Sequence, residues 1–319
     1  MAKVTVAEER LPDTIGTRRG KRGRSLWQNM RRNFWGYVFI APWVVLYIVF
    51  GLYPLVLSFY LTFFDYSFVA PENRAFVGVG NWLQGILDPL FWRSLFNIVY
   101  NQAIFIVLKN GLGLLTAVLV FRAKWGGRFF RTVYFLPVLT STMVLMIVGG
   151  YLASPTGPVQ SLLVNTGILD GPVFWTFNRW LPMPIIALIN TWKWFGISFV
   201  ILLAGLYSIS PDLYDAASID GASEWALFRY ITLPQLRPQL FFLLVVDIIN
   251  GLQMFTEVFA LFDLYGGADN QALTPVLYLY AQAFDRSNMG YASTLGLLLA
   301  VLIGLITVLQ FRFVSADSD

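Results

Sequence analysis

Six stretches of the chain stay apolar over the roughly 20 residues a helix needs to cross a bilayer core. They cover residues 37–64, 95–121, 132–153, 185–207, 239–262 and 292–313. The pattern predicts an all-α integral membrane protein with six transmembrane helices. Gly51 and Pro54 interrupt the first stretch, where a kink or tilt is expected. The links after the first and third stretches are long and carry Trp, Gly and Pro ("GVGNWLQ", "SPTGPVQSLL"), as short interfacial helices and turns would. No internal repeat is evident, so any two-fold symmetry has to come from a second chain.

Basic residues orient the pattern, because Lys and Arg collect on the cytoplasmic side. Arg10, Arg18, Arg19, Lys21, Arg22, Arg24, Arg31 and Arg32 precede the first stretch. Arg122, Lys124, Arg128 and Arg131 fill the link between stretches two and three, Arg229 and Arg237 lie between four and five, and Arg312 closes the sixth. The remaining links are poorer in base: Arg74 and Arg93, then Arg179, then Arg286. Both termini are therefore expected in the cytoplasm and the protein in the cell's inner (cytoplasmic) membrane. The domain plan is a basic arm over 1–36, a six-helix domain over 37–313 with an inner segment at 208–238, and a tail over 314–319. The apolar run begins late, near Tyr37, so no cleavable signal peptide is expected.

Composition narrows the chemistry. Charged residues make up 13% of the chain, against about 25% in soluble domains, and mean hydropathy is +0.64. Cys and His are both absent, which removes disulfides, thiolate metal sites and the commonest general base. No catalytic constellation or metal site is expected. The basic pI of 9.2 comes largely from the N-terminal arm and suits anionic lipid rather than nucleic acid. In that arm "GTRRGKRG" falls short of a phosphate-binding loop: the spacing is too tight and no Ser or Thr follows the Lys.

The inner segment "DAASIDGASEWALFRYITLP" (residues 215–234) holds more structure than a tether needs. Ser210 and Pro211 form a helix start, Asp212 and Asp215 sit near its positive end, and Gly221 ends it. Residues 222–231 predict a second short helix, broken at Leu233-Pro234. Ala216 and Ala217 leave one side of the first helix bare, which permits close approach of another protein.

These residues carry a family resemblance. Asp215-Ala216-Ala217, Gly221 and Ile231-Thr232-Leu233-Pro234 meet every spacing of the E-A-A, three residues, G, nine residues, I-x-L-P loop of binding-protein-dependent ABC importer permeases, with Asp in place of Glu. "NTWKWFG" (190–196), "AGLYSISPDLYDAA" (204–217), "LYGG" (264–267), "GYAS" (290–293) and "QFRF" (310–313) resemble the maltose-type sugar branch. Family members usually read Gly-Gly-Pro where this chain has Gly266-Gly267-Ala268. The resemblance implies that the two-helix segment docks on a cytoplasmic ATPase through Asp215, Ala216, Ala217, Gly221, Ile231, Leu233 and Pro234. It also implies a second homologous permease subunit, two ATPase subunits that bind ATP and Mg, an extracytoplasmic solute-binding protein and a sugar substrate, with no cofactor on this chain.

Polar residues inside the stretches mark a pathway or interhelix packing. Asp247, Asn250, Gln253 and Glu257 share one face if residues 239–262 are a single helix, and Thr256 lies beside them. In the fourth stretch Asn190, Lys193 and Trp194 suit a sugar, which presents C–H faces to rings and hydroxyls to amides. Trp192 reads as an interface anchor, and Lys193, about 12 Å below the outer end by helical rise, either serves the pathway or snorkels outward. Lys109 is too deep to snorkel and either pairs with an acid on another span or faces the cavity. The resemblance places the substrate site on spans four and five near mid-membrane. Sugar size and the anionic option remain open at this level. The alternative class is an ion-coupled secondary transporter using Asp247, Glu257 and Lys109. An acid–base enzyme is excluded, because Asp247 and Glu257 would stand about 15 Å apart on a helix.

Overall fold

The computed structural model describes residues 34–123 and 126–315. The basic arm before Phe34, Lys124 and the end of the tail lie outside the described residues. The chain divides into two compact units at Val56 and Leu57.

α1 (Phe34–Tyr47) runs into a π turn at Ile48–Leu52 and then α2 (Tyr53–Leu61), within which the boundary between the units falls. The expected kink is this π turn. Its wider ring lies just ahead of Pro54, whose own ring would clash with a carbonyl four residues back in a regular helix. Gly51 gives the Tyr47 ring room, since a Cβ there would fall 3.1 Å from it.

After the end of α2 the second unit forms a two-residue antiparallel ladder, β1 (Phe64–Asp65) against β2 (Ala75–Phe76). Asn81 of α3 (Gly80–Leu87) fastens this corner by donating to the carbonyls of Thr62 and Phe64 at 2.9 and 3.0 Å. The longest helix, α4 (Pro89–Arg122), begins before its apolar stretch does. Asp88 caps it by accepting from Leu90 N at 2.8 Å, and Pro89 occupies the first turn, where its missing N–H costs nothing. The Tyr278 and Tyr291 hydroxyls also donate to Asp88. Burial, then the bond to Asp88, pushes the Tyr278 hydroxyl up to about 12, so it remains a donor at neutral pH.

The third stretch is not one straight helix. It comprises α5 (Gly127–Phe135), a 3₁₀ turn at Leu136–Leu139 and α6 (Thr142–Leu152), bent by 95°. Pro137 offers no N–H to the turn, and Thr140 donates to the Pro137 carbonyl at 2.6 Å, closing off the helix. After α7 (Pro158–Asn165) comes α8 (Pro182–Ser208), which lies along α4.

Two short helices follow, α9 (Pro211–Ile219) and α10 (Glu224–Leu227), then a π turn at Phe228–Thr232 and α11 (Leu233–Gln235). α12 (Arg237–Gly251) departs from this run at 59°. The fifth stretch then breaks again before α13 (Thr256–Phe262), and α14 (Pro275–Tyr280) and α15 (Met289–Ser315) complete the chain. Among the described residues, four helices are long and apolar enough to span a membrane. Six spans result if each bent pair counts as one.

Two apolar cores hold the second unit. One gathers Phe91, Ile98, Met183, Leu252, Leu277, Tyr291 and Leu295; the other gathers Ala117, Val120, Phe199, Leu202, Leu206, Leu236 and Leu243. α4 and α8 pack tightly at Gly113, where an added Cβ would lie 2.5 Å from Ser198 Cβ and 3.0 Å from Phe199 N. Gly113→Ala is therefore expected to destabilise the fold by about 1–3 kcal/mol through overpacking, read as a lower melting temperature of the purified protein.

Candidate functional site

α4, α8 and α12 enclose a cavity of about 290 Å³. Gln102, Phe105 and Lys109 contribute from α4, Asn190, Trp194 and Ile197 from α8, and Asp247, Asn250 and Gly251 from α12. Met254 and Glu257 complete the lining. Polar groups thus face polar groups inside an otherwise apolar bundle.

An ion pair organises this cavity. Lys109 Nζ donates to Asp247 Oδ1, and both side chains are almost wholly buried, at 5% and 6% exposure. Two charges in a low-dielectric interior must satisfy one another, and their remaining atoms need hydrogen bonds. Here Asn110 Nδ2 donates to Asp247 Oδ2 at 3.0 Å, and Ser198 Oγ donates to Asn110 Oδ1 at 2.7 Å. The network stitches three helices together. Lys109 is the mid-span lysine that the sequence required to pair or face the cavity, and it does both.

The other predicted pathway residues separate into two groups. Asn190, Trp194, Asn250 and Glu257 line the cavity. Lys193, Gln253 and Thr256 do not. Lys193 is buried and does not snorkel outward: its ammonium donates to Thr142 Oγ1 at the start of α6 and lies 4.7 Å from the Trp194 ring centre. Glu257 is near enough to act on it electrostatically, and Asn190 faces Glu257. Gln253 and Thr256 are exposed.

The continuous stripe expected over 247–257 fails because the helix is interrupted between Gly251 and Thr256. Thr274, from a segment 20 residues further on, donates to the freed Met254 carbonyl at 2.8 Å and caps α14 by accepting from Leu277 N at 3.4 Å. Asn250 and Gln253 instead return their amides to their own chain, at Val246 O (3.0 Å) and Ile249 O (2.8 Å). Trp192 is half exposed and lies outside the cavity, at the rim of an apolar crevice between α6 and α8.

Sequence reasoning missed a second polar stripe. Ser94, Asn97, Asn101 and Lys109 fall on one face of α4, and all are buried. Asn97 donates to the carbonyls of Asn270 and Leu273 at 3.0 Å each, and Asn101 donates to Met183 O at 2.8 Å. Spacings of three, four and eight residues were the available signal.

The inner segment forms a tight hairpin. Ser210 accepts from Asp212 N at 3.3 Å and caps α9. Gly221 takes φ = +81°, and Gly221 N and Ala222 N bond back to the Ser218 and Ala217 carbonyls at 3.1 and 3.0 Å. This is the Schellman closure that favours glycine. Asp215, Ala216 and Gly221 are exposed and Ala217 is partly buried. Ile219, Trp225 and Tyr230 stand 86%, 70% and 77% exposed, an apolar surface without cover among the described residues.

At the hairpin's base, Ile231, Leu233 and Pro234 are partly buried, and the Tyr214 and Thr232 hydroxyls meet at 3.0 Å. Arg122, at the end of α4, pairs with Glu224 at 2.7 Å. The second helix does not stop at Leu233-Pro234 as expected. The π turn at Phe228–Thr232 widens the coil just ahead of Pro234, so helical structure runs on to Gln235.

Residues 109–316 match the family described as "Binding-protein-dependent transport system inner membrane component". The arabinooligosaccharides transport system permease protein AraP of Halalkalibacterium halodurans is 32% identical over 88% of this chain and 87% of its own. The lactose transport system permease protein LacF of Rhizobium radiobacter is 31% identical over 86% and 92%. In three dimensions the chain is similar to a chain of the bacterial alginate ABC transporter crystallised with an alginate pentasaccharide-bound periplasmic protein. The TM-score is 0.75 at 22% identity, over 90% of this chain and 96% of that one. The chain belongs to the binding-protein-dependent transport system inner membrane component family.

Removing one member of the Lys109–Asp247 pair leaves a charge buried without compensation, at a cost of about 3–5 kcal/mol. Lys109→Met and Asp247→Leu are each expected to lower the melting temperature of the purified protein sharply. The double variant is expected to recover most of the loss.

Proposed function

We propose, from membership in that family, that this chain is the transmembrane permease subunit of an ATP-driven importer that carries a carbohydrate across the cytoplasmic membrane by alternating access. The observation that carries this reading is the pairing of two features on the same helices. The cavity joins rings and amides between α4, α8 and α12, and the exposed hairpin sits directly between α8 and α12. A push on the hairpin is thereby delivered to two of the three cavity walls.

In this reading both termini and the hairpin face the cytoplasm, as the Lys and Arg distribution requires, and the six apolar stretches are six spans. Asp215, Ala216, Ala217 and Gly221 form the face offered to an ATPase subunit, where Ile219 and Trp225 are covered. Ile231 and Tyr214 root the hairpin against the apolar core, with Leu233 and Pro234 partly buried beside them, so it moves as a solid piece. ATP and Mg are bound on two such subunits. A second homologous permease completes the pathway, and an extracytoplasmic binding protein delivers the sugar. Arabino-oligosaccharide and lactose systems among the relatives support a carbohydrate cargo. Asn190, Trp194, Asn250 and Glu257 are the pathway residues this cavity supports. Lys193 acts behind them by fixing Trp194. Family membership favours this reading over ion-coupled transport.

Proline fixes φ near −65° and cannot adopt the +81° of Gly221. Gly221→Pro and Asp215→Lys are expected to abolish ATP-driven uptake and its coupling to ATP hydrolysis while membrane insertion persists. Normal uptake in both would count against the docking role. Asn190→Ala and Trp194→Ala are expected to cut sugar uptake while co-purification of the ATPase continues, measured with radiolabelled oligosaccharide.

A further inference from the structure

Two oxygens in the cavity wall have no donor among the described residues, Gln102 Oε1 on α4 and Asn190 Oδ1 on α8. Gln102 is only 6% exposed and Asn190 3%. A buried acceptor left unmade is costly, and an apolar side chain of the same shape would remove the cost. The orientation of Gln102 is nonetheless enforced. Asn101 uses its amide nitrogen on the Met183 carbonyl, so its Oδ1 faces Gln102 as an acceptor. Gln102 Nε2 answers at 3.2 Å, which turns Gln102 Oε1 the other way as the open end of the relay. There it lies on Gly251, where a Cβ would come 2.1 Å from Gln102 Cδ and 2.2 Å from Oε1. Only glycine admits the amide at this point. Gly251 is also the last residue of α12, next to the turn that interrupts the fifth stretch and borders the cavity.

We infer that Gln102 is a specificity-determining residue, whose side-chain carbonyl accepts a hydroxyl proton from the carbohydrate while Asn101 and Gly251 hold it in place. Asn190 Oδ1 accepts a second hydroxyl from the opposite wall. In the state described, Gln102 Oε1 is covered; parting of the turn after Gly251 during alternating access uncovers it. A site built around such acceptors rejects sugars that lack the matching hydroxyl, because binding them leaves the oxygens unmet. The inference rests on the carbohydrate-pathway reading given above.

The test is ATP-driven uptake by the complete transporter in proteoliposomes, using neutral di- and trisaccharides, lactose and arabinotriose among them, each against its monodeoxy analogues. One binding protein serves wild type and variants alike, so a changed preference between a sugar and its analogue belongs to the permease. Wild type is expected to prefer at least one hydroxyl by about tenfold or more. Gln102→Met, which keeps length and shape, is expected to reduce that preference to about twofold or less, with little change in melting temperature, because it removes the unmet Gln102 oxygen while taking the donor from Asn101 Oδ1. Asn190→Ala is expected to relax a different hydroxyl.

Several results overturn the inference. One is an unchanged preference in Gln102→Met. Another is a wild type without preference. A third is a common fall for every sugar together with a lower melting temperature, which assigns Gln102 to packing. If wild type takes up no sugar of the panel, or Asn190→Ala and Trp194→Ala leave uptake intact, the pathway reading itself fails and the inference with it.

Discussion

A lysine ammonium halfway along a membrane-crossing helix has no route to water, and this necessity organises the middle of the bundle. Lys109 must meet an anion inside the protein, and the anion it meets, Asp247, lies on a helix 138 residues away in sequence. Asn110 and Ser198 then satisfy what the pair leaves open. Charge neutralisation therefore brings α4, α8 and α12 to one point. The cavity is the space left where three helices are joined by polar side chains rather than packed by apolar ones. Replacing such a pair with hydrocarbon is often neutral for stability, so its value here is better sought in shaping a polar interior than in holding the fold.

The same helices show how local interruptions serve that interior. α4 is unbroken over its length and offers a rigid face of amides, with Asn97, Asn101 and Gln102 each engaging a different segment. The third and fifth apolar stretches are broken, at Pro137 and between Gly251 and Thr256. Each break is sealed by a side-chain hydroxyl, from Thr140 or Thr274, because a free carbonyl in an apolar setting is expensive. One continuous helix beside interrupted stretches suits a cavity whose contents must pass from one side to the other. The hairpin between α8 and α12 has its base against the apolar core and carries exposed Ile219 and Trp225.

Much of this was legible before any fold was known. Long apolar runs identify membrane helices because the bilayer sets their length. The hairpin followed from Ser210, Pro211 and Gly221, each of which acts through its own backbone geometry. Lys109 announced that it would need a partner. The stripe over 247–257 misled, since a helical wheel assumes an unbroken helix, and the residue that stabilises the break belongs to another segment. Lys193 misled for a related reason: Thr142, which receives its ammonium, starts a helix bent away by 95°.

The apolar runs, the cap and closure of the hairpin, and the presence of charge within apolar stretches can all be read along the chain, because they depend on residues near one another in it. That Asp247 answers Lys109, that Gln102 lies against Gly251 with its oxygen unmet, and that Asn190 and Glu257 line the cavity while Gln253 does not, emerged only once the helices were assembled. Those outcomes depend on which distant helices come within hydrogen-bonding distance, and spacing along one helix carries no record of that.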